Sequence, residues 1–399
     1  MKIALVHNLK PPVKDPAFPA DYYSECDSPK TIRAISSALE TGGHTVFPVE
    51  ADRNLPLWLA QNPVDLVFNV AEGFEGESRE ARVPALLDLL GIPYTGSGVL
   101  ALALALDKAK SKQIFRFSGL PTPNFQLFVQ EDDPLDPRLK FPLIVKPNRE
   151  GSAKGILVSS VVSDETALRV QVRRVLQMYG QEALAEEFIE GVELTVGILG
   201  SDPVLPVLEI DFSGCRASGE SFYSWRMKEY QGDKQQNLNP HFWCPARLDA
   251  PTTQAVQSVA LKAARVLGVR DVARVDIRLS SEGIPFVLEV NPLPGIDPEE
   301  SNLPIMTRAA GLSYEAFIQR LVQLAVERSN RKPDAHPASY RPSSHSTAPA
   351  PQTPRQETLP GPASPRKELS GTPFVAVRGK SRRRTEARSD HPKEENLGR

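Results

Sequence analysis

The chain has 399 residues, of which 24% are charged and 40% hydrophobic, as in an ordinary enzyme of roughly two to four domains. Its net charge of −2 conceals an acidic body, with a net of −9 over residues 1–330, and a basic tail, with a net of +7 over 331–399. No apolar run approaches the roughly 20 residues that span a bilayer, the polar His7-Asn8 ends the first apolar run too early for a signal peptide, and three distant cysteines fit neither a disulfide framework nor a paired-cysteine zinc site. We therefore expect a cytoplasmic protein without a membrane segment.

The first hundred residues alternate between strand and helix patterns. Short apolar runs predict strands at 3–6, 46–49 and 66–68. Ser28-Pro29 is typical of a helix start, Gly42-Gly43 ends the apolar stripe that follows, and a second helix is predicted at 80–90. Strand–helix–strand alternation predicts a parallel sheet flanked by helices.

Further along, the patterns mix longer helices with strands. Helices are predicted at 99–118, 164–178 and 252–267, with a final pair before residue 330. Strands are predicted at 127–129, 143–146, 156–158, toward residue 188, at 194–199 and 205–210, and on both sides of a turn at 280–283. Beyond residue 330 the only aromatic residues are Tyr340 and Phe374, so this segment cannot bury enough surface and is predicted to be disordered.

The strand pair around the turn at 280–283 carries the strongest chemical signal. Arg274 and Asp276 alternate with apolar residues on the first strand, and Glu289 and Asn291 share a face of the second. In an antiparallel hairpin, Asp276, Glu289 and Asn291 become cross-strand neighbours, and three oxygen donors without His or Cys suit Mg²⁺ or Mn²⁺. A solvated polar face is the commoner fate of alternating strands, and the pair taken alone leaves both interpretations open.

Two other segments suggest a nucleotide. Lys146 ends an apolar strand, where it can meet a phosphate as a point charge, and the small-residue loop with Ser152 that follows can form an anion-binding nest. The segment from Glu186 to Glu193 offers backbone groups to a purine edge and a carboxylate to ribose hydroxyls. Each is weak alone, since most Gly/Ser loops are only turns and acidic strand ends are common.

Taken together and in this order, the segments resemble the ATP-grasp superfamily and, within it, the D-alanine–D-alanine ligase family. The resemblance covers nearly all of residues 1–328, and its most specific stretches are 91–98, 106–108, 145–147, 187–193, 273–276 and 288–295. It implies an α/β protein with the ATP-grasp fold. We expect an N-terminal parallel α/β domain at 1–98, a central ATP-grasp subdomain at 99–190, a C-terminal catalytic subdomain at 191–330 and a disordered basic, Pro-rich tail at 331–399.

The resemblance also implies a role for each matching residue. The residues expected to bind ATP are Lys108, Lys146, Gly151, Ser152, Glu186, Glu187, Ile189, Glu193 and Lys228. Two Mg²⁺ (or Mn²⁺) ions are expected at Asp276, Glu289 and Asn291. Arg274 would stabilise the oxyanion, and the other expected catalytic residues are Ser152, Glu25 and Tyr230. The expected substrate-binding residues are Glu25, Gly295 and Ser301.

Four departures from the family surround the expected amino-acid pocket. An insert at 8–23 precedes Glu25 and Asp27, and either carboxylate is a candidate for binding the first ammonium. The other departures are Glu72 in place of a histidine, Glu229 between Lys228 and Tyr230, and a one-residue shift at Ser301. The substrates are therefore less well specified than the nucleotide.

The implied activity is that of an ATP-dependent carboxylate–amine ligase acting through an acyl phosphate, with ADP and phosphate released. Two small amino acids, D-alanine with D-alanine first among them, are the expected substrates. The alternatives are another amino-acid pair, a D-hydroxy acid as acceptor, or a non-catalytic ATP-binding regulatory protein. Related ligases are usually homodimers, and no obligatory nucleic acid or membrane partner is expected. The basic run at 380–384 could bind an anionic partner, but a solvated extension is the plainer interpretation.

Overall fold

The computed structural model describes residues 1–330 except 14, 201–203, 232–235 and 237. The tail predicted to be disordered, 331–399, lies outside the described residues. Within the described ranges, no helix combines the length and the apolar character needed to cross a membrane.

A parallel sheet forms the first part of the chain, as predicted. Its three strands are β1 (Lys2–His7), β2 (Thr45–Glu50) and β3 (Leu66–Asn69), with β1 in the centre and both neighbours parallel to it. The accompanying helices are α1 (Pro29–Thr41), α2 (Leu55–Gln61) and α3 (Arg82–Leu90). Ser28 caps α1, since its hydroxyl accepts a hydrogen bond from the N–H of Thr31 at 3.0 Å. The short helix α2 was not predicted.

The single helix predicted at 99–118 is wrong, because the chain breaks at Asp107. Two helices occupy this stretch, α4 (Val99–Leu106) and α5 (Lys108–Phe117). The backbone of Asp107 is extended, and its carboxylate accepts from the N–H of Lys110 at 2.9 Å, which caps the second helix. The break puts Lys108 in the first turn of α5.

A four-stranded antiparallel sheet follows, in the order β4-β7-β5-β6. Its strands are β4 (Phe125–Phe128), β5 (Leu143–Pro147), β6 (Val161–Val162) and β7 (Ala183–Glu187), with helix α6 (Glu165–Tyr179) between β6 and β7. The strand predicted at 156–158 is wrong. The N–H of Leu157 donates instead to the hydroxyl of Ser160 at 3.0 Å, a local turn that replaces strand pairing.

A five-stranded antiparallel sheet completes the described chain, in the order β10-β9-β8-β11-β12. Its strands are β8 (Gly191–Leu199), β9 (Leu208–Asp211), β10 (His241–Trp243), β11 (Val272–Ser280) and β12 (Pro285–Asn291). The helices of this part are α7 (Trp225–Tyr230), α8 (Ala250–Val266), α9 (Asn302–Ala309) and α10 (Tyr314–Asn330). The predicted antiparallel hairpin is present, and its register sets Asp276 opposite Glu289 and Arg274 opposite Asn291.

The largest apolar core includes residues from both ends of the described chain. Ile3 of β1 and Ile35 of α1 belong to it, together with Leu208 of β9 and Phe317 of α10, all fully buried. Burial of these side chains binds the first sheet to the last helices. The division at residues 98 and 190 stays a prediction.

Candidate active site

A cavity lies between the two antiparallel sheets, and we call it the intersheet cavity. Strands from both sheets supply charged residues to it, namely Lys146, Glu186, Glu187, Glu193, Asp276, Arg278 and Glu289. Its apolar lining comes from Ile144, Ala153, Ile156, Phe188, Ile189, Phe222 and Leu288. Apolar walls with a few fixed charges are what a bound small molecule requires.

Two lysines hold Glu186 at the bottom of this cavity. Its carboxylate is 2.5 Å from the ammonium of Lys146 and 2.7 Å from that of Lys112, and all three side chains are buried. Burial alone would raise the pKa of Glu186, but the two lysines keep it below its ordinary value. Sequence reasoning missed Lys112, although it lies one helical turn after Lys108 on α5.

In the segment after Glu186, some backbone N–H groups are already hydrogen-bonded within the protein and others are not. The N–H of Glu187 donates to the carbonyl oxygen of Asn124 at 2.9 Å, so this donor already has its acceptor. In the described part of the chain, the N–H of Ile189 has no hydrogen-bond acceptor. The carboxylate of Glu193 lies 3.4 Å from the guanidinium of Arg278, which fixes it at the cavity wall.

The three expected metal ligands meet on the β11–β12 hairpin. The amide of Asn291 donates to a carboxylate oxygen of Asp276 at 3.0 Å, and Glu289 lies opposite Asp276 in the register. Arg274 donates two hydrogen bonds to Asp276, at 2.9 and 2.8 Å. Lys108 lies 3.4 Å from the carboxylate of Glu289. The structure thus brings Arg274, Lys108 and all three expected ligands together.

The donor chemistry of this hairpin fits Mg²⁺, because two carboxylates and an amide oxygen are hard ligands. Although burial raises the pKa of Glu289, Lys108 and Lys146 bring it below the ordinary value, so the carboxylate stays ionised. Among the described residues, no group of three or more His, Cys, Asp or Glu side chains could hold a metal by itself. An ion bound here would therefore depend on Asn291 and on oxygens brought by the nucleotide.

The loop after β5 forms one wall of the site. Ser152 and Ala153 have left-handed backbones, with φ of 48° and 55°, and this curvature turns successive N–H groups toward one side. The N–H of Gly151 donates to Glu25 at 2.7 Å, and a Cβ at this glycine would overlap the same carboxylate oxygen. The loop backbone therefore meets the N-terminal segment and not only the intersheet cavity.

A second cavity, which we call the acidic cavity, lies beside the first. Its carboxylates are Glu25, Asp27, Glu72, Glu229, Asp297 and Glu300, and its basic side chains are Lys10, Lys228 and Arg274. A small cavity connects the two, and the residues that it shares with the acidic cavity include Glu72, Ser152, Lys228, Arg274 and Gly295. Arg274 thus lies at the junction of the cavities.

Glu25 is fully engaged within the protein. Its carboxylate pairs with Lys154 and lies 2.5 Å from the guanidinium of Arg79, in addition to the bond from Gly151. Burial raises the pKa of Glu25, but Lys154 and Arg79 bring it down to about 2. Sequence reasoning missed both cations, because neither is near Glu25 along the chain.

Glu72 and Asp27 differ from Glu25 in having no cation paired with them, although Arg79 is near Glu72. In the described ranges, neither side chain takes part in a hydrogen bond or an ion pair. Burial, with Glu25 and Glu80 nearby, raises the pKa of Glu72 well above its ordinary value. Burial, with Asp297 and Glu50 nearby, raises the pKa of Asp27 to about 7.

Of the remaining expected residues, some line the acidic cavity and one does not. Lys228, Gly295 and Ser301 line the acidic cavity, and Ser301 accepts a hydrogen bond from the N–H of Asp297 at 3.0 Å. Tyr230 does not line it: its side chain is 38% exposed and contacts the ring of Trp225. Residues two apart on a helix face different directions, so α7 cannot turn both Lys228 and Tyr230 inward.

Tyr223 lines both cavities where Tyr230 was expected. The ammonium of Lys228 lies 5.2 Å from the centre of its ring, and its hydroxyl donates to Gln231 at 2.6 Å. The tyrosine at the site therefore comes from the chain just before α7.

Comparison with known proteins identifies the family. A family model described as D-ala D-ala ligase C-terminus matches residues 114–323. The D-alanine–D-alanine ligase of Gloeobacter violaceus is 36% identical over 300 residues, covering 74% of this chain and 93% of that protein. The chain belongs to the D-alanine–D-alanine ligase family. This ligase is accordingly an ATP-dependent enzyme that forms carbon–nitrogen bonds.

One further relative and one solved structure are also similar to this ligase. An uncharacterized protein of Sinorhizobium fredii, y4sG, is 34% identical over 305 residues, covering 74% of this chain and 87% of that protein. The crystal structure of the D-alanine–D-alanine ligase from Bacillus anthracis complexed with ATP covers 82% of this chain and 98% of its own, with a TM-score of 0.65 at 24% identity. The ligase therefore has the mixed α/β ATP-grasp fold that its sequence predicted.

Proposed function

We propose that this enzyme joins two small amino acids through an acyl phosphate, in the continuous site formed by the intersheet and acidic cavities. The carboxylate of the first amino acid attacks the terminal phosphate of ATP, forming the acyl phosphate and ADP. The amine of the second amino acid then attacks the acyl carbon, and phosphate leaves. A carboxylate becomes a good electrophile only when one oxygen is part of a leaving group.

The single observation that carries this proposal is the position of Arg274 at the junction of the cavities. Its guanidinium is fixed by two hydrogen bonds to Asp276, and it lines both the acidic and the connecting cavity. Burial lowers its pKa, but Asp276 raises it more, so the group is always charged. A fixed positive charge stabilises the negative oxygen that develops when the amine attacks.

The nucleotide is proposed to bind in the intersheet cavity. Lys108 and Lys146 supply positive charge to its phosphates, while the Gly151-Ser152 loop covers them. Glu186, Ile189 and the backbone after β7 form the wall for the purine, with Glu193 for the ribose. Bound Mg²⁺, held by Asp276, Glu289 and Asn291, would neutralise phosphate charge and orient the transferred group.

An isotope experiment tests the acyl phosphate. The enzyme is given ATP and an amino acid labelled with ¹⁸O in the carboxylate. D-Alanine is tested first, because a relative is named D-alanine–D-alanine ligase. Transfer of one ¹⁸O per turnover into phosphate is expected, since a carboxylate oxygen becomes the bridging oxygen. Dipeptide formation with unlabelled phosphate would contradict the mechanism, and ADP release that depends on the amino acid would exclude a non-catalytic protein.

Arg274→Ala tests the role of the guanidinium. Ligation should fall by about 10²–10³-fold, with ATP binding retained, because the lost charge acts mainly after the nucleotide is bound. Arg33→Ala is the matched control, since Arg33 is exposed on α1 and lines neither cavity. Ligation by Arg274→Ala at the rate of the control, with both variants folded, would refute this role.

The assembly state and the location in the cell remain predictions. A homodimer is proposed only because related ligases are usually dimers, and sedimentation of the full chain tests it. A cytoplasmic location is proposed on the same sequence grounds given above, and fractionation of cells tests it.

A further inference from the structure

The carboxylates of the acidic cavity fall into two groups. Asp297 accepts hydrogen bonds from Thr31 and from two backbone N–H groups, and Glu229 lies 3.5 Å from the ammonium of Lys10. Glu25 has the three partners described above. Asp27 and Glu72 have no such partner among the described residues. The carboxylate of Glu300 also has no partner among the described residues, but Glu300 is exposed to solvent. Asp27 and Glu72 are therefore the less exposed acids of the cavity that a ligand can neutralise.

Glu25 is poorly placed to receive an ammonium. A substrate that bound to it would have to displace a buried guanidinium or a buried ammonium, or the loop N–H of Gly151. A displaced Arg79 or Lys154 would lose one of its two carboxylate partners and keep only Glu150 among the described residues. Glu25 is thus an anchor for Arg79 and Lys154.

Glu72 lies where the reaction occurs. It lines the acidic cavity and also the connecting cavity, where Arg274 and Ser152 are found. The charged groups nearest to it are mostly acids, Glu25 and Glu80 foremost, while Arg79 is directed toward Glu25. An ammonium bound at Glu72 would therefore lie in a net negative environment, close to the guanidinium of Arg274.

Asp27 lines the same cavity, and its charge also acts on Glu72. The charged groups that raise the pKa of Asp27 are Asp297 and Glu50, again both acids. The cavity's own cations serve other groups: Lys10 faces Glu229, Arg274 is bonded to Asp276, and Lys228 lies over Tyr223. A second positive charge is therefore missing at Asp27.

We propose that one of the two compounds joined here carries a second cationic group, as a small diamino acid does, with Glu72 receiving one ammonium and Asp27 the other. The inference rests on the proposed function, because it assumes that the acidic cavity binds the amino acids. D-Alanine has one ammonium and can neutralise only one of the two acids. A diamino acid neutralises both, and ion pairing compensates for taking each charge out of water.

A metal ion is a poorer occupant of this cavity. Within the described residues, no cluster of three or more His, Cys, Asp or Glu side chains could hold one. An organic cation needs only one carboxylate at each end, which is what Glu72 and Asp27 provide.

Substrate isosteres provide the test, with the full chain, ATP and Mg²⁺. ADP release is measured with 2,4-diaminobutyrate and with norvaline, which match in heavy atoms but differ in the terminal charge. Both configurations are tested, each alone and with D-alanine as partner, and mass spectrometry identifies the product. We expect kcat/KM for the diamino acid to exceed that for norvaline by at least about tenfold. A tenfold ratio corresponds to about 1.4 kcal/mol, the contribution expected from one ion pair.

Variants separate the two carboxylates. Asp27→Asn should bring the ratio of the two kcat/KM values close to one, and Glu72→Gln should raise KM for both compounds. Asp132→Asn makes the same chemical change at an exposed acid outside the cavity and should keep the parent's ratio. Thermal unfolding of each variant confirms that it is folded.

The outcomes distinguish this inference from the proposal on which it rests. Equal use of norvaline and 2,4-diaminobutyrate, or an unchanged ratio in Asp27→Asn, would overturn the second cationic group and leave the ligase intact. No ADP release and no dipeptide with any amino acid of the panel would overturn both.

Discussion

Replacing Lys112 by methionine should strongly destabilise the protein. Lys112 is fully buried on α5, with its ammonium 2.7 Å from Glu186 and 3.0 Å from the hydroxyl of Thr122. Methionine has a similar length and fills the space, so packing changes little. Glu186 would keep one cation, Lys146, for a carboxylate that is 1% exposed.

The expected loss is roughly 3–5 kcal/mol of unfolding free energy, the cost of leaving a buried charge without one of its partners. Burial lowers the pKa of Lys112 to about 8, so the side chain still holds its proton at pH 7, where the measurement is made. Urea unfolding at equilibrium, followed by circular dichroism, gives the difference between variant and parent.

Two further variants make the measurement specific. Lys110→Met changes an exposed lysine of the same helix and should stay within about 0.5 kcal/mol of the parent. Lys112→Met combined with Glu186→Gln should lose less than the two single losses added, because no half-paired carboxylate remains. A loss below about 1 kcal/mol for Lys112→Met alone would refute the reasoning, since water or relaxation would then satisfy Glu186.

Three other changes have defined outcomes. Gly151→Ala should lower kcat/KM for ATP by about tenfold or more, because its Cβ would overlap a carboxylate oxygen of Glu25 and displace the loop; unchanged kinetics would show that the loop yields freely. The pKa of Asp27, raised to about 7 when folded against 3.8 in the unfolded chain, makes the folded state bind more protons between those values, so stability falls as pH rises. Asp27→Asn should remove up to about 1.4 kcal/mol of that fall per pH unit between pH 5 and 7, and parallel urea curves for parent and variant would contradict it. Deleting 331–399 should leave ADP release unchanged, because all residues of both cavities precede that segment; lost activity would give the tail a part in catalysis.

Local patterns were sufficient wherever a short stretch of chain decides the structure. Ser28 and Pro29 carry the capping chemistry of α1 within four residues, so the helix start was predictable. Alternation on both sides of one tight turn predicted that Asp276, Glu289 and Asn291 become neighbours on the β11–β12 hairpin. The exact pairing of Asp276 with Glu289 was not predictable, because it depends on a register shift between Asp276 and Ile277. Local patterns were not sufficient at Asp107. The apolar run before it predicted one continuous helix, but its carboxylate caps a second helix.

Contacts between distant parts of the chain decided what the sequence could not. The pairing of Glu25 with Arg79 and Lys154 joins segments 54 and 129 residues apart, and no pattern in the sequence announces it. Tyr230 was predicted to be catalytic because it lies close to Lys228 in the sequence, but the helical geometry of α7 turns its side chain outward. Alternation along strands was enough to predict that Asp276 and Glu289 come together, while their roles stay predictions.

The bonds between the N-terminal segment and the loop after β5 have a kinetic consequence. Asp21 accepts from the N–H of Gly155 at 2.7 Å, and Glu25 accepts from that of Gly151, also at 2.7 Å. Ala153 and Ile156 of this loop line the intersheet cavity, so a movement of the loop away from the proposed nucleotide would break both bonds. We therefore expect these two bonds to slow the release of ADP, although neither Asp21 nor Glu25 lines the intersheet cavity.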